Sequence, residues 1–423
     1  MSKKKKIQSI TGMSDILPDE IPYWQKIEEA TKEVFGRYGF SEIRTPLLED
    51  TALFARGIGE GTQVVQKEMY TFEDRGGDMV TLRPEGTASV VRSYIQNSLY
   101  AKDAITKLYY KGPMFRYERP QKGRLRQFHQ IGAELMGVDS PLADAELVIM
   151  LARWVQCLGL KDVVLQVNSL GTVAERAAYL QDLTKQLEAK RDELCEECQE
   201  RITKNHLRVF DCKNRSCQAL CKGFPKLLDS LGEESKAEFN VFCDTLKEAK
   251  VEFSINPLIV RGLDYYEKTA FEFTCDALGS QNAFVGGGRY NNLVEELGGP
   301  ATPAVGFGIG CERVVLIMQA QKAEQDASFQ DGIYLIGLDE NSFTLCRRLL
   351  QDLRDQGVFA EMDYNVKSMK SQMRRANKLR FKYAGIVGEE ECKNNTVLLK
   401  NLESGEQEAV NVGDLGMSLV SGG

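Results

Sequence analysis

Residues 112–134 read GPMFRYERPQKGRLRQFHQIGAE, where Arg116, Arg119, Lys122, Arg124 and Arg126 surround a Pro120–Gly123 turn. Apolar, β-branched and aromatic residues flank that turn, the pattern of two antiparallel strands joined by a cationic loop. Guanidinium groups held between rigid strands suit a polyphosphate or nucleic-acid phosphates, because a planar fork of donors matches two oxygens at once. A second segment, IVRGLDYY at 259–266, sets Arg261 beside Asp264, Tyr265 and Tyr266, a polar-aromatic group fit for a small polar ligand. The chain has two histidines, too few to argue for a Ser-His-Asp relay. His129, between Phe128 and Gln130, reads as a packed or hydrogen-bonded group in preference to a general base. No GxxxxGK[ST] loop and no GxGxxG after a strand occur, so Walker and Rossmann chemistry is unsupported. The triple glycine 286–288 fits either close approach of backbone to a ligand or a β-bulge.

The elements that must carry these residues are legible in the periodicity. Trp24, Ile27, Ala30, Val34 and Phe35 predict an amphipathic helix over 19–37, closed at Gly39 and followed by an extended stretch over 41–49. Short β-type runs recur at 68–72, 79–83, 107–117, 126–136, 163–168, 269–275 and 283–290, with helical runs at 86–99, 143–158 and 173–192. This predicts an α+β domain over 1–325, with a mainly antiparallel sheet flanked by helices. A helical, cysteine-bearing insertion occupies about 175–250. The polar stretch 319–331 suits a linker. From Gly332 strands and helices alternate, which predicts a small α/β domain over 332–423 with a mostly parallel sheet.

A chain of 423 residues supports two or three cores. No apolar run reaches membrane-spanning length, and MSKKKK lacks the apolar segment of a signal peptide, so a cytoplasmic protein without a membrane partner is expected. The eleven cysteines then read as reduced thiols. Cys195-x2-Cys198 followed by Cys212 and Cys217 can hold structural zinc, although the second half, C-x4-C-x3-C through Cys221, is not a second CxxC. The net charge of −7 argues neither for nor against nucleic acid, because binding follows local potential. Locally, 366–382 has seven Lys or Arg and no acid, the composition of either a phosphate-binding helix or a solvated face.

The segment 112–134 resembles motif 2 of the class II aminoacyl-tRNA synthetases, in the form found in histidyl-tRNA synthetases. RGLDYY and FVGGGRYNNLV (284–294) are similar to the two histidine signatures of that family. GFGIGCERVVLIM (306–318) resembles motif 3, YGFSEIRTPLLED (38–50) motif 1, and TLRPEGTA (81–88) the amino-acid-binding segment. The resemblance implies ATP, with Mg²⁺, and L-histidine as substrates, tRNA(His) as partner, and a homodimer built through motif 1. It implies that Arg116 and Arg261 hold the α-phosphate and Arg313 the γ-phosphate, with Glu118 and Arg124 placing the nucleotide. It puts Glu85, Thr87 and Gln130 at the α-ammonium and Glu134 and Tyr266 at the imidazole, with Tyr265 in the same pocket. Gln121, Lys122 and Arg126 would meet the acceptor stem, and Lys370, Arg374 and Lys378 would contact tRNA from an anticodon-binding domain. The structural alternatives are ion pairs of the arginines with Glu118, Glu312 or Asp264, an N-cap role for Thr87, and a solvated strand face for Glu134. A rival reading is the synthetase-like regulatory subunit of ATP phosphoribosyltransferase, which binds histidine without aminoacylation.

Overall fold

The computed structural model describes residues 6–59, 62–121, 123–204, 209–210, 212, 214–259, 265–279, 282–321 and 330–421. Lys122, Arg261, Asp264 and most of the 319–331 stretch lie outside the described residues. The chain divides into two units, Met1–Ala323 and Glu324–Gly423.

In the first unit, α1 (Ile21–Arg37) buries Trp24, Ile27, Ala30, Thr31, Val34 and Phe35, one face of a 3.6-residue period. The chain turns at Gly39, φ 80°, a value that glycine adopts without steric cost. Next come the two-residue strand β1 (Ser41–Glu42), the strand β2 (Leu48–Asp50) and the helix α2 (Thr51–Ile58). β2 forms a small antiparallel sheet with β3 (Tyr70–Glu73) and β4 (Met79–Leu82), in the order β2-β4-β3. The helix α3 (Thr87–Gln96) leads into the long hairpin of β5 (Thr106–Phe115) and β6 (Gln127–Met136). After α4 (Pro141–Cys157) and β7 (Val163–Ser169) comes the insertion of α5 (Val173–Ala189), α6 (Glu196–Lys204), α7 (Arg215–Lys222) and α8 (Glu233–Glu248). The strands β8 (Ser254–Ile255), β9 (Glu267–Cys275) and β10 (Ala283–Arg289), the helix α9 (Leu293–Glu296), the strand β11 (Ala304–Gly310) and the helix α10 (Cys311–Ala320) complete the unit.

The main sheet runs β1-β5-β6-β11-β10-β9-β7-β8. Its six inner strands pair antiparallel, and only the two-residue edge strands β1 and β8 pair parallel. Helices α1, α4 and α10 share one apolar core with it, in which Trp154 is fully buried and its indole N–H donates to the Thr31 hydroxyl at 3.0 Å. Burying each such large apolar side chain contributes about 1.5–3 kcal/mol.

The strand β11 is absent from the pattern of β-type runs read from sequence. Its sequence, AVGFGIG, alternates glycine with apolar residues, and glycine lowers β propensity. Gly306 is needed because the neighbouring strand fills its space. Gly306 pairs with Glu134, and a Cβ at Gly306 would lie 1.7 Å from the Glu134 carboxylate.

The second unit is a five-stranded sheet in the order β13 (Ala360–Met362), β12 (Gln330–Gly337), β14 (Phe381–Val387), β15 (Thr396–Asn401) and β16 (Gln407–Asn411). Its helices are α11 (Glu340–Asp355), α12 (Met369–Lys378), α13 (Glu389–Asn394) and α14 (Leu415–Ser421). The sheet is mixed, not mostly parallel. β12 pairs parallel with β13 and β14, whereas β14–β15 and β15–β16 are antiparallel. Connection length decides this: a parallel crossover needs a dozen or more residues, and both 388–395 and 402–406 are shorter.

Candidate active site

The β5–β6 ladder is in register from Thr106 opposite Met136 to Phe115 opposite Gln127. Arg116 therefore emerges just past the ladder. Gln130, Gly132 and Glu134, two residues apart, share one face of β6. The loop between the strands closes through reciprocal bonds of Gln121 and Arg124, 2.9–3.0 Å, with Gly123 at φ 72°.

A cavity of about 440 Å³ opens at this end of the sheet. Glu85, Thr87, Arg116, Glu118, Arg124, Gln130, Tyr265, Tyr266 and Arg313 all line it. The sequence distributes these residues over more than two hundred positions, and the sheet gathers them.

Arg116 and Arg313 do not follow the ion-pair alternatives set by their sequence neighbours. Arg116 donates from Nε to the Pro84 carbonyl at 2.8 Å and lies 5.3 Å over the Phe128 ring. Glu118 pairs with Arg124, which also approaches Glu68 at 4.0 Å. Arg313 donates from Nε to the Gly123 carbonyl at 3.0 Å and from Nη1 to the Ala283 carbonyl, tying the motif 2 loop to β10. Burial, and then repulsion from Arg124 and Arg116, lowers the pKa of Arg313. Burial likewise lowers that of Arg116. Three guanidinium groups line one cavity, two of them close enough to repel the third, Arg313, and together they form a site prepared for an anion.

Carboxylates and tyrosines occupy the same cavity. Glu85 accepts from the backbone N–H of Thr87 at 2.6 Å and of Ala88 at 2.8 Å, so it caps the first turn of α3. Gly86, not Thr87, is the N-cap residue. The Thr87 hydroxyl instead donates to Glu134 at 2.8 Å. Glu134 is fully buried, does not reach the cavity wall, and also accepts from the Tyr290 hydroxyl. Its strand face is not solvated, and burial raises its carboxyl to about 8. Tyr265 and Tyr266 pack with ring centroids 4.6 Å apart, and Tyr290 packs against both.

His129 does not line this cavity. Its Nδ1 lies 2.9 Å from Glu312, its backbone N–H donates to the same carboxylate, and its ring meets Trp24 edge-on at 5.0 Å. The pair anchors the first turn of α10, which carries Arg313. The same loop holds Arg126, whose guanidinium stacks 4.0 Å over Tyr117 and donates to the Glu118 carbonyl at 3.2 Å, whereas Gln121 is exposed. On α12, Lys370, Arg374 and Lys378 are exposed four residues apart along one face, opposite buried Gln372 and Ala376.

Several members of the site have weak sequence signals. Tyr290 follows GGGR directly and could have been suspected from that position. Tyr110 lies on β5 with its ring in the space that side chains at Gly86 and Gly132 would fill. Glu68 and Glu272 line the cavity with nothing in the local sequence to mark them. Buried Arg289 grips Asp144 through Nε at 3.0 Å and through Nη2, fixing β10 to α4.

Gly306→Ala is expected to force the Glu134 carboxylate aside. Overpacking of this kind costs about 1–3 kcal/mol of stability, and ligand binding should weaken with it. Denaturant unfolding together with histidine titration would check this; unchanged values for both would show that the carboxylate relaxes freely.

An antiparallel sheet of this order, with motif arginines from β5–β6 and α10 converging on one cavity, defines a class II aminoacyl-tRNA synthetase catalytic unit. The family model described as Histidyl-tRNA synthetase matches residues 12–314, and the model of the Anticodon binding domain matches 315–420. The chain is 47% identical over 404 residues to a histidine–tRNA ligase of Syntrophotalea carbinolica, covering 96% of each. It is 44% identical over 401 residues to one of Desulfitobacterium hafniense, covering 95% of each. The apo crystal structure of S. aureus histidyl-tRNA synthetase matches with a TM-score of 0.81 at 35% identity, covering 98% of this chain and 100% of that one. This chain belongs to the histidyl-tRNA synthetase family. An ATP phosphoribosyltransferase regulatory subunit/histidyl-tRNA synthetase of Bacillus halodurans shares the fold, with a TM-score of 0.63 at 20% identity, covering 92% of this chain and 99% of that one.

Proposed function

We propose that this chain activates L-histidine with ATP to histidyl-adenylate and transfers the histidyl group to the 3′ end of tRNA(His). The observation that carries the reading is the convergence of Arg116, Arg124 and Arg313 on one cavity that also holds Glu85, Thr87, Gln130 and Tyr266. In activation the histidine carboxylate attacks the α-phosphorus in line and pyrophosphate leaves. Two anions must meet, so positive charge and positioning carry the catalysis. Arg116 and, by resemblance, Arg261 hold the α-phosphate; Arg313 takes the γ-phosphate, and Glu118 with Arg124 places the nucleotide. Glu85, Thr87 and Gln130 meet the ammonium, while Tyr265 and Tyr266 face the imidazole and Glu134, placed there by resemblance, backs that side of the pocket through Thr87 and Tyr290. The Glu272 carboxylate, which lines the cavity, fits a Mg²⁺ arriving with ATP, since that hard cation takes oxygen ligands and would neutralise phosphate charge.

The reading assigns residues 1–325 to catalysis and 332–423 to anticodon binding. Gln121, Lys122 and Arg126 serve the acceptor stem, with Arg126 shaping the loop through its stack on Tyr117. A homodimer through motif 1 agrees with the exposure of Leu47 and Leu48 there. No helix among the described residues is long and apolar enough to cross a membrane, and the protein is proposed to act in the cytoplasm.

Pyrophosphate exchange measured across the amino acids, paired with tRNA charging on the same preparations, tests this. Exchange driven by histidine alone, together with charging, is expected. Histidine binding without exchange would favour the regulatory-subunit reading, which the identities to histidine–tRNA ligases support less.

Substituting Lys370, Arg374 and Lys378 together should raise KM for tRNA and flatten its salt dependence, by roughly one unit of slope for each lost phosphate contact. Exchange should be unchanged. A parallel loss of both activities in folded protein would place α12 in the activation step instead.

A further inference from the structure

We infer that Cys195, Cys198, Cys212 and Cys217 bind one structural zinc ion, and that this ion organises the insertion. The site lies outside the chemistry proposed above and does not depend on it. The four Sγ atoms lie within 4.8 Å of one another, and those of Cys195 and Cys212 are 3.7 Å apart. A tetrahedral Zn–S₄ centre with bonds of ~2.3 Å has sulfur–sulfur edges of ~3.8 Å. Two disulfides would need only two close pairs, each drawn in to ~2.05 Å. Mutual proximity of all four thiols is the arrangement of a shared ion.

The surroundings also suit thiolates. Cys198, Cys212 and Cys217 are buried, and Cys195 is partly exposed. The Cys195 backbone N–H points at the Cys217 sulfur at 3.3 Å, and the Asn214 N–H at the Cys212 sulfur at 3.4 Å. On binding, each thiol releases its proton to solvent, and Zn²⁺ with four thiolates carries a net charge of −2, which the two N–H groups offset in part. Cys221 does not belong to the set. Its Sγ faces the Val209 carbonyl at 3.6 Å, as a small packed side chain would.

The elements that bring the cysteines together are short. α6 has 9 residues and α7 has 8, below the length at which isolated helices hold in water. They lean on α5 through Tyr179, Leu183 and Leu187, and these belong to the same apolar cluster as Cys198, Cys217, Tyr265 and Tyr266. From the other end of α5, Arg176 donates to the Tyr266 carbonyl at 2.6 Å. The ion thus sits at the far end of a helix whose near end holds the backbone beside the cavity.

The test is metal content. Protein purified under reducing conditions without chelator, from zinc-supplemented medium, should have about one zinc per chain. Cobalt substitution should give the absorption of a tetrahedral tetrathiolate. Cys198→Ser and Cys217→Ser should lose the metal, and Cys221→Ser should keep it. Should the serine variants fail to fold, the wild-type chain still decides: a mercurial thiol reagent should release the zinc and open the segment 190–226 to protease. Substoichiometric zinc together with no cobalt spectrum on reconstitution would overturn the inference, as would equal loss of metal in Cys221→Ser.

Discussion

Arg116→Ala is expected to lower kcat for histidine-dependent pyrophosphate exchange by ~10²–10³-fold, the effect of removing one preorganised donor, or about 2.7–4 kcal/mol. The physical reason lies in how this side chain is held. Its Nε is anchored to the Pro84 carbonyl and its plane rests over Phe128, so its direction is set before ATP arrives. An arginine fixed in this way loses little entropy in meeting the transferring phosphate. Arg116→Lys should recover part of the rate, because it restores the charge without the planar fork. Both variants should keep their histidine affinity. Single-turnover adenylate formation, with binding measured separately, distinguishes the two effects. An alanine variant with normal kcat and a raised KM for ATP would reduce Arg116 to a ground-state contact. Arg261→Ala carries the same expectation on the basis of the resemblance alone.

Glu134→Gln is expected to lower kcat/KM for histidine by about 10–10²-fold, because an amide has one acceptor oxygen where the carboxyl serves Thr87 and Tyr290 with two, and a buried donor left unpaired costs about 1–3 kcal/mol; KM for ATP should be nearly unchanged. A site that hydrogen-bonds a polar side chain discriminates strongly because its own buried groups are otherwise unpaired. The same substitution should alter how stability depends on pH. Burial raises the Glu134 carboxyl from 4.5 to about 8 in the folded, ligand-free protein. Between those values the folded state binds a proton that the unfolded chain has released, so stability falls as pH rises through this window. Glutamine removes the titration. Its unfolding midpoint should therefore exceed that of the wild type by more at pH 8 than at pH 5. Parallel midpoints for the two proteins across that range would mean that the wild-type carboxyl titrates normally.

Much of the molecule was legible without coordinates, for local reasons. The helix over 21–37 follows from apolar residues at helical spacing, and the β5–β6 hairpin from two β-rich arms around a Pro-Gly turn. The antiparallel character of the main sheet follows from runs of strands with the helices at their margins. The six motif segments, in family order, identified the family and the residues to examine. The sequence could not show β11, because its glycines are explained only by what lies across from them: Glu134 and the Gln130 side chain. It misled on the second sheet, where connection length overrode the alternation of strands and helices.

At the site the division is sharper. Residue types and order determined that cations, carboxylates and tyrosines were available, because these chemistries are properties of side chains. Partnership was decided by the tertiary structure. Glu312 serves His129, not Arg313; Glu118 serves Arg124, not Arg116; and Thr87 turns from capping a helix to holding Glu134. These pairings depend on sheet register and on which groups are buried together, and desolvation is a collective property that no single segment encodes. The cysteines show the same limit. Their spacing allowed a metal site but could not choose among five thiols between Cys195 and Cys221. Only folding brought four of them within 4.8 Å and turned the fifth toward a backbone carbonyl.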